Sequence, residues 1–203
     1  MNPSRDRESN PATDPAPNPR AAPLLISLPH GLDLGGVTTW AVRLANGLAE
    51  RGRAVAMIAH PRPDGCPAAH IDLHPGVRLI APADFPPMAH AAGDLSPYLP
   101  VYRHVIAELS RDAGDMPVIF SPNILGDSYG IAAAICMTEP ESIRVLAWQH
   151  SDTAYDTALL KRYEPIIAKF VAIDRRYVGS LAEMLYGRAG DIDAIPHGVP
   201  VPA

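Results

Sequence analysis

Between Pro23 and Pro61 the chain spells out one folding unit, and that unit limits what the rest can become. Leu24 to Leu28 is a short apolar run of the kind found in a strand buried on both faces. Gly31, Gly35 and Gly36 follow, a loop able to take unusual backbone angles and to lie close to a ligand. Thr38 or Thr39 can cap the next helix. Trp40, Leu44 and Leu48 recur every four residues beside Ala41 and Ala45, which gives that helix one apolar face. Gly52 stops it, and Val55 to Ala59 is a second strand. The pattern is a βαβ unit with its glycines at the carboxyl end of the first strand. Free N–H groups at a helix start suit an anion or a sugar there.

The same alternation runs on. His60 to Gly76 is a loop rich in Pro and His. Val77 to Ala81 is a short strand, and Pro82 to Pro97 is irregular because its prolines block regular structure. Tyr98 to Ala113 returns to helical spacing, with Val101, Val105, Ile106 and Leu109 on one face. Pro117 to Phe120 is a buried-type strand ending in Ser121, Pro122 and Asn123. Gly126 to Met137 is a helix of small residues. Ile143 to Trp148 is a strand that runs into Gln149, His150, Ser151 and Asp152. Ala154 to Tyr163 is helical, Phe170 to Ile173 is a strand, and Asp174 is placed to cap a helix over Arg175 to Tyr186. Ile192 to Ile195 is the last apolar run. Such alternation predicts an α/β fold, a Rossmann-like doubly wound and mostly parallel sheet with helices on both faces. Ligands of such sheets bind beyond the carboxyl ends of the strands. Four places should therefore line one edge: Gly35–Gly36, Ser121–Asn123, Gln149–Asp152 and His197–Gly198.

The chain has 203 residues, enough for one substantial α/β domain. Residues 1–22 carry five prolines among Ser, Asn, Asp and Arg and read as a disordered leader, so the domain is expected over 23–203. A net charge of -5 speaks against nucleic acid. No apolar run approaches the length of about 18 residues that spans a bilayer. Two cysteines, Cys66 and Cys136, fit a reduced, cytoplasmic protein, with Cys136 a small buried hydrophobe.

Motifs narrow the chemistry. The glycine loop is either a backbone cradle for a phosphate or sugar, or only a tight turn. It is not a dinucleotide fingerprint, because the spacing Gly31, Gly35, Gly36 is wrong and His60 ends the second strand where an acidic residue would hold a ribose. No Gly-Lys-Ser/Thr follows, so it is not a P-loop, and no G-x-S-x-G elbow occurs. His150 directly follows an apolar strand. It could bond a sugar hydroxyl or move a proton near neutral pH, or merely close the strand. Asp152 could orient it. His30 adjoins the loop and could touch a ligand. His70 and His74 have i, i+4 spacing, but Pro67, Pro75 and Gly76 oppose the helix that a metal pair needs, and no metal site is expected. Tyr155, Tyr163, Tyr177 and Tyr186 read as packing residues with polar tips.

Taken together, these segments resemble the N-terminal domain of a family 4 glycosyltransferase, the retaining group built from two Rossmann-like domains called GT-B. GLDLGGVTTWAVRLANGLAERGRAVAMIA resembles that family's opening strand, Gly-Gly loop, helix and second strand. PVIFSPN resembles its middle strand and turn, and VLAWQHSD its strand ending in His. KFVAIDRRYVGSLAEMLYGRAGDIDAIPHGVPV resembles its closing stretch. Asp174 stands where the family often has Ser, His197 where it often has Asn, and Pro200 where it usually has an acidic residue. The resemblance implies sugar transfer from a nucleotide-sugar donor to an unknown acceptor, without metal or cofactor. It would place Gly35 and Gly36 against the donor phosphates or the acceptor, His150 near the transferred sugar as a catalytic residue, and Asn123 and Asp152 near the acceptor. The family's donor-binding domain with its E-x7-E pattern has no counterpart here. The expectation is therefore a domain inactive alone and completed by a donor-binding domain, in one reading on a separate chain. A non-catalytic acceptor-binding module, a truncated remnant and an unrelated Rossmann-like nucleotide binder are the alternatives.

Overall fold

The structure, a computed structural model, describes residues 21–69 and 71–197. Residues 1–20 of the expected leader, His70 of the i, i+4 histidine pair, and the closing stretch from Gly198 lie outside the described residues. Seven strands form one sheet: β1 (Leu24–Leu28), β2 (Val55–Ala59), β3 (Val77–Ile80), β4 (Val118–Ser121), β5 (Ile143–Gln149), β6 (Ile167–Ala172) and β7 (Ile192–Ala194). Five helices connect them: α1 (Gly36–Ala49), α2 (Leu99–Asp112), α3 (Gly126–Thr138), α4 (Ala154–Tyr163) and α5 (Arg175–Met184).

The strand order is β3-β2-β1-β4-β5-β6-β7, and every pairing is parallel. The expectation of a mostly parallel, doubly wound sheet therefore holds in a stricter form. A parallel sheet covered on both sides needs strands that are apolar at nearly every position, and β1 and β2 are buried throughout. β6 begins three residues earlier than its apolar core suggests, because Ile167 pairs with Val145 across a register shift in β5.

Helices cover the two faces unequally. Leu24, Ile26 and Leu28 of β1 pack with Trp40, Ala41, Val42 and Ala45 of α1. Leu25 faces the other way, into the larger core built with α2, α3, α4 and α5. One helix thus lies on the first face and four on the second. The connection from β2 to β3 explains the imbalance. Its prolines forbid a helix, and it sends Ile71 and Leu73 onto the α1 side instead. Among the described residues no helix is long and apolar enough to cross a membrane.

Helix starts follow three designs. Asp174 caps α5 as expected, accepting from the Arg176 N–H at 2.9 Å. Thr153 caps α4, accepting from the Asp156 N–H at 3.2 Å. At α1 neither threonine is the cap. The helix begins two residues before Thr38, the cap position falls on Gly35 in extended conformation, and no side chain caps it. Helix α5 ends at Met184, so Tyr186 lies beyond it and is 97% exposed, not packed. Cys66 is exposed, Cys136 is half-buried rather than buried, and both are free thiols.

The irregular stretch before α2 is tied down on α3. Asp127 accepts from the N–H groups of Ala89 (2.8 Å) and Gly93 (3.2 Å), and its own N–H donates to the Ala89 carbonyl at 3.0 Å. Gly126 presses against the His90 carbonyl so closely that a β-carbon there would lie 2.2 Å from the oxygen. Tyr98 adds a hydroxyl bond to the Pro87 carbonyl at 2.8 Å.

Candidate functional site

The chain leaves β1 for α1 and leaves β4 for α3, so the carboxyl ends of these adjacent strands diverge into opposite layers. Such a switch point opens a crevice. Here it is bordered by His30, Asp33 and Gly35 from the first loop, by Thr38 from the first turn of α1 and by Asn123 and Ile124 from the second loop, with a cavity of about 50 Å³.

The first loop is held on both sides. Gly31 has φ +62°, and a β-carbon on it would lie 2.5 Å from the His60 carbonyl oxygen. Only glycine fits that turn. Beyond it, the Leu34 N–H donates to the Pro67 carbonyl at 2.8 Å and the Ala69 N–H to the Leu32 carbonyl at 3.0 Å, with an antiparallel bridge between Asp33 and Ala68. These bonds deliver the Asp33 carboxylate to the start of α1, where it accepts from the Thr38 hydroxyl. The His30 Nδ1 lies 4.0 Å from Asp33 Oδ2.

The second loop turns on Asn123, which is 2% exposed and has φ +68°. Asparagine tolerates this region better than most residues. Its Nδ2 donates to the Ser27 carbonyl at 3.2 Å, and its Oδ1 has no hydrogen-bond partner.

Beneath the crevice lies a buried polar string. The Tyr102 hydroxyl stands 2.8 Å from Ser27 Oγ and 2.9 Å from His60 Nε2. The His60 ring stacks on Phe85 at 4.7 Å. Burial pulls the His60 pKa down to about 4, against weaker upward pulls from the Pro86 carbonyl and the Asp127 carboxylate. Burial also raises the Tyr102 hydroxyl far above its usual range, with the Ser27 bond opposing. Both side chains are therefore neutral at pH 7. Tyr102→Phe should cost about 2 kcal/mol, because it strips a partner from two buried groups at once. Urea unfolding checks this, and an unchanged midpoint would deny the string its role.

His150 is packed differently. Its ring lies edge-on to Trp40 at 4.6 Å, and Trp148 is 6.4 Å away. The His197 ring is 5.7 Å from it, and Trp40 and Trp148 touch at 4.5 Å. Both His150 ring nitrogens are buried without a partner. Burial, and to a lesser extent His197, lower its pKa to about 3. Burial likewise lowers that of His197. An imidazole kept neutral by its surroundings is available only as a hydrogen-bonding group at pH 7. Gln149 Oε1 and Ser121 Oγ, nearby at the strand ends, are also buried and unpaired.

The structure thus brings Gly35 and Asn123 together at the crevice. Gly36 turns to the other flank of α1, into a separate cavity of about 430 Å³ walled by Trp40, Arg43, Trp148 and His197. His150 sits behind the two indoles. Asp152 is exposed and makes no hydrogen bond to His150. His74 accepts from the Gly76 N–H at 3.0 Å, and among the described residues no group of three or more His, Cys, Asp or Glu converges to hold a metal. Sequence reasoning missed Asp33. The signal was present, since it is the one carboxylate between β1 and α1. No protein-family model matches the chain, and no curated protein matches it at a significant level.

Proposed function

We propose that this domain is the acceptor-binding half of a GT-B-type glycosyltransferase, in which a nucleotide-sugar donor is held against the same edge by a donor-binding domain. The meeting of Gly35 and Asn123 at the switch point carries this reading. They come from two loops that the resemblance singles out, and they border one crevice. The crevice itself is too small for a whole ligand. Pockets for whole small-molecule ligands run to about 300–1,000 Å³, whereas the crevice offers about 50 Å³, room for a hydroxyl group and its carbon but not for a nucleotide. Transfer requires donor and acceptor held together away from water, which two facing domains provide. Retention at the sugar carbon and a cytoplasmic setting belong to the same proposal, and the two free thiols fit that setting.

The test is release of nucleoside diphosphate from UDP- and GDP-sugars. The purified chain alone should release none above background. Supplied with a donor-binding domain it should turn over, and Asn123→Gly, which suits the backbone angle but removes the amide, should lower kcat/KM about tenfold or more. Robust turnover by the chain alone would overturn the half-site. Tight binding of a dinucleotide would favour an unrelated nucleotide binder.

A further inference from the structure

The cavity on the far flank of α1 shares no lining residue with the switch-point crevice. Its volume, about 430 Å³, falls within the range of about 300–1,000 Å³ that holds whole small-molecule ligands. Trp40 and Leu44 of α1 wall one side, Trp148 of β5 another, and Ile195 and Pro196, just past β7, a third. Ile195 is 49% exposed although it lines the same cavity as two buried indoles. A single exposed apolar side chain needs no explanation. One that completes a concave apolar surface leaves that surface open for a ligand.

The charge in this cavity has one sign. No acidic side chain lines it. Burial holds His197 below the ordinary imidazole value, so that ring is neutral at pH 7. Arg43 is the remaining ionisable group on the wall, and it is exposed. Other helical arginines are matched by carboxylates: Arg103 by Glu139 and Arg176 by Asp174. Arg43 has no such partner among the described residues. It lies seven residues beyond Gly36, or about 10 Å along the axis of α1. An anion at Arg43 is therefore held by a guanidinium and not by the start of the helix. A guanidinium matches a carboxylate with two parallel bonds, and aromatic walls suit a flat ring beside it.

We propose that the cavity between α1 and the end of β7 binds an aromatic carboxylate, with its rings among Trp40, Leu44, Trp148 and Ile195 and its carboxylate on Arg43. The site uses no residue of the crevice and stands whether or not the domain serves glycosyl transfer.

The experiment is calorimetric titration of the full chain with three probes of one shape and different charge: naphthoate, naphthamide and naphthylmethylammonium. Inorganic phosphate is the fourth probe. Naphthoate should bind saturably, one per chain, at least about tenfold more tightly than the amide, and phosphate should not bind. Arg43→Gln, at an exposed position, should bring naphthoate to the level of the amide and leave the amide unchanged. Ile195→Asp should weaken both. Several results overturn the proposal: no saturable binding of naphthoate, an amide or ammonium probe that binds as tightly, or phosphate that binds as well as naphthoate. An Arg43→Gln chain that keeps the wild-type preference does so too. A dimer in size-exclusion chromatography that binds none of the probes gives the cavity to a second copy and equally overturns it.

Discussion

Acidification from neutral pH to about pH 4 should remove about 6 kcal/mol of stability, roughly half from His60 and half from His150. The folded protein holds their pKa values at about 4 and about 3, against 6.5 for a free imidazole. Between pH 6.5 and 4 the unfolded chain therefore binds protons that the native state refuses, so stability is complete above that window and falls as pH drops through it. A domain has about 5–15 kcal/mol in all, so this alone can bring it near unfolding. Asp174 and Asp191, whose pKa values are lowered by bonds to Arg176 and Arg188, titrate below the histidine window. Urea midpoints at successive pH values provide the measurement. The chain's two tryptophans, Trp40 and Trp148, are convenient reporters. His150→Phe, which keeps a ring against Trp40, should halve the slope. A stability that stays flat from pH 7 to 4.5 would refute the assignment.

Gly126→Ala should destabilise the fold by about 2–4 kcal/mol. The new methyl group would stand 2.2 Å from the His90 carbonyl oxygen and 2.8 Å from its carbon, both backbone atoms. Nothing can rotate away. Either α3 shifts, which disturbs the core around Tyr129 and Ile131, or the 82–97 stretch lifts and loses its bonds to Asp127. The second course should show as faster proteolysis within that stretch. Gly36→Ala is the matched control. Nothing lies within 4 Å of its added methyl group, and stability should change by less than about 1 kcal/mol. Equal effects at the two positions would remove the steric explanation.

The strands were the most legible part of this sequence. A strand buried on both faces must be apolar throughout, and LLISL and VAMIA each declare their own ends. Helix α4 was equally plain, bounded by Thr153 and Tyr163. The unequal coverage of the two faces was less visible, because it depends on where a proline-rich connection runs and not on any periodic pattern. The start of α1 was misplaced because threonine is a common cap, whereas here the Asp33 carboxylate engages the Thr38 hydroxyl. Position along a strand end located His150 and Gln149 at the proper edge. It could not show that Trp40, arriving from α1, would cover the histidine. Asp152 followed His150 closely in sequence, but the chain turns outward at Ser151 and carries it into solvent. Sequence proximity sets which loop a residue belongs to. Which way the side chain turns is decided by packing between elements far apart in the chain.

The strand order has a consequence for how the protein comes into being. Strand β1 pairs with β2 on one side and, on the other, with β4, where Leu24 meets Ile119. During synthesis β1, β2 and β3 emerge first, and the central edge of β1 stays open until β4, which begins 90 residues after β1 ends (Leu28 to Val118), has followed. That edge carries Leu24, Leu25 and Ile26, which makes the nascent first third of the chain a template for pairing with other chains. Closing so distant a contact is slow. The arrival of β4 is therefore both the step that completes the sheet and the step that ends its exposure to aggregation.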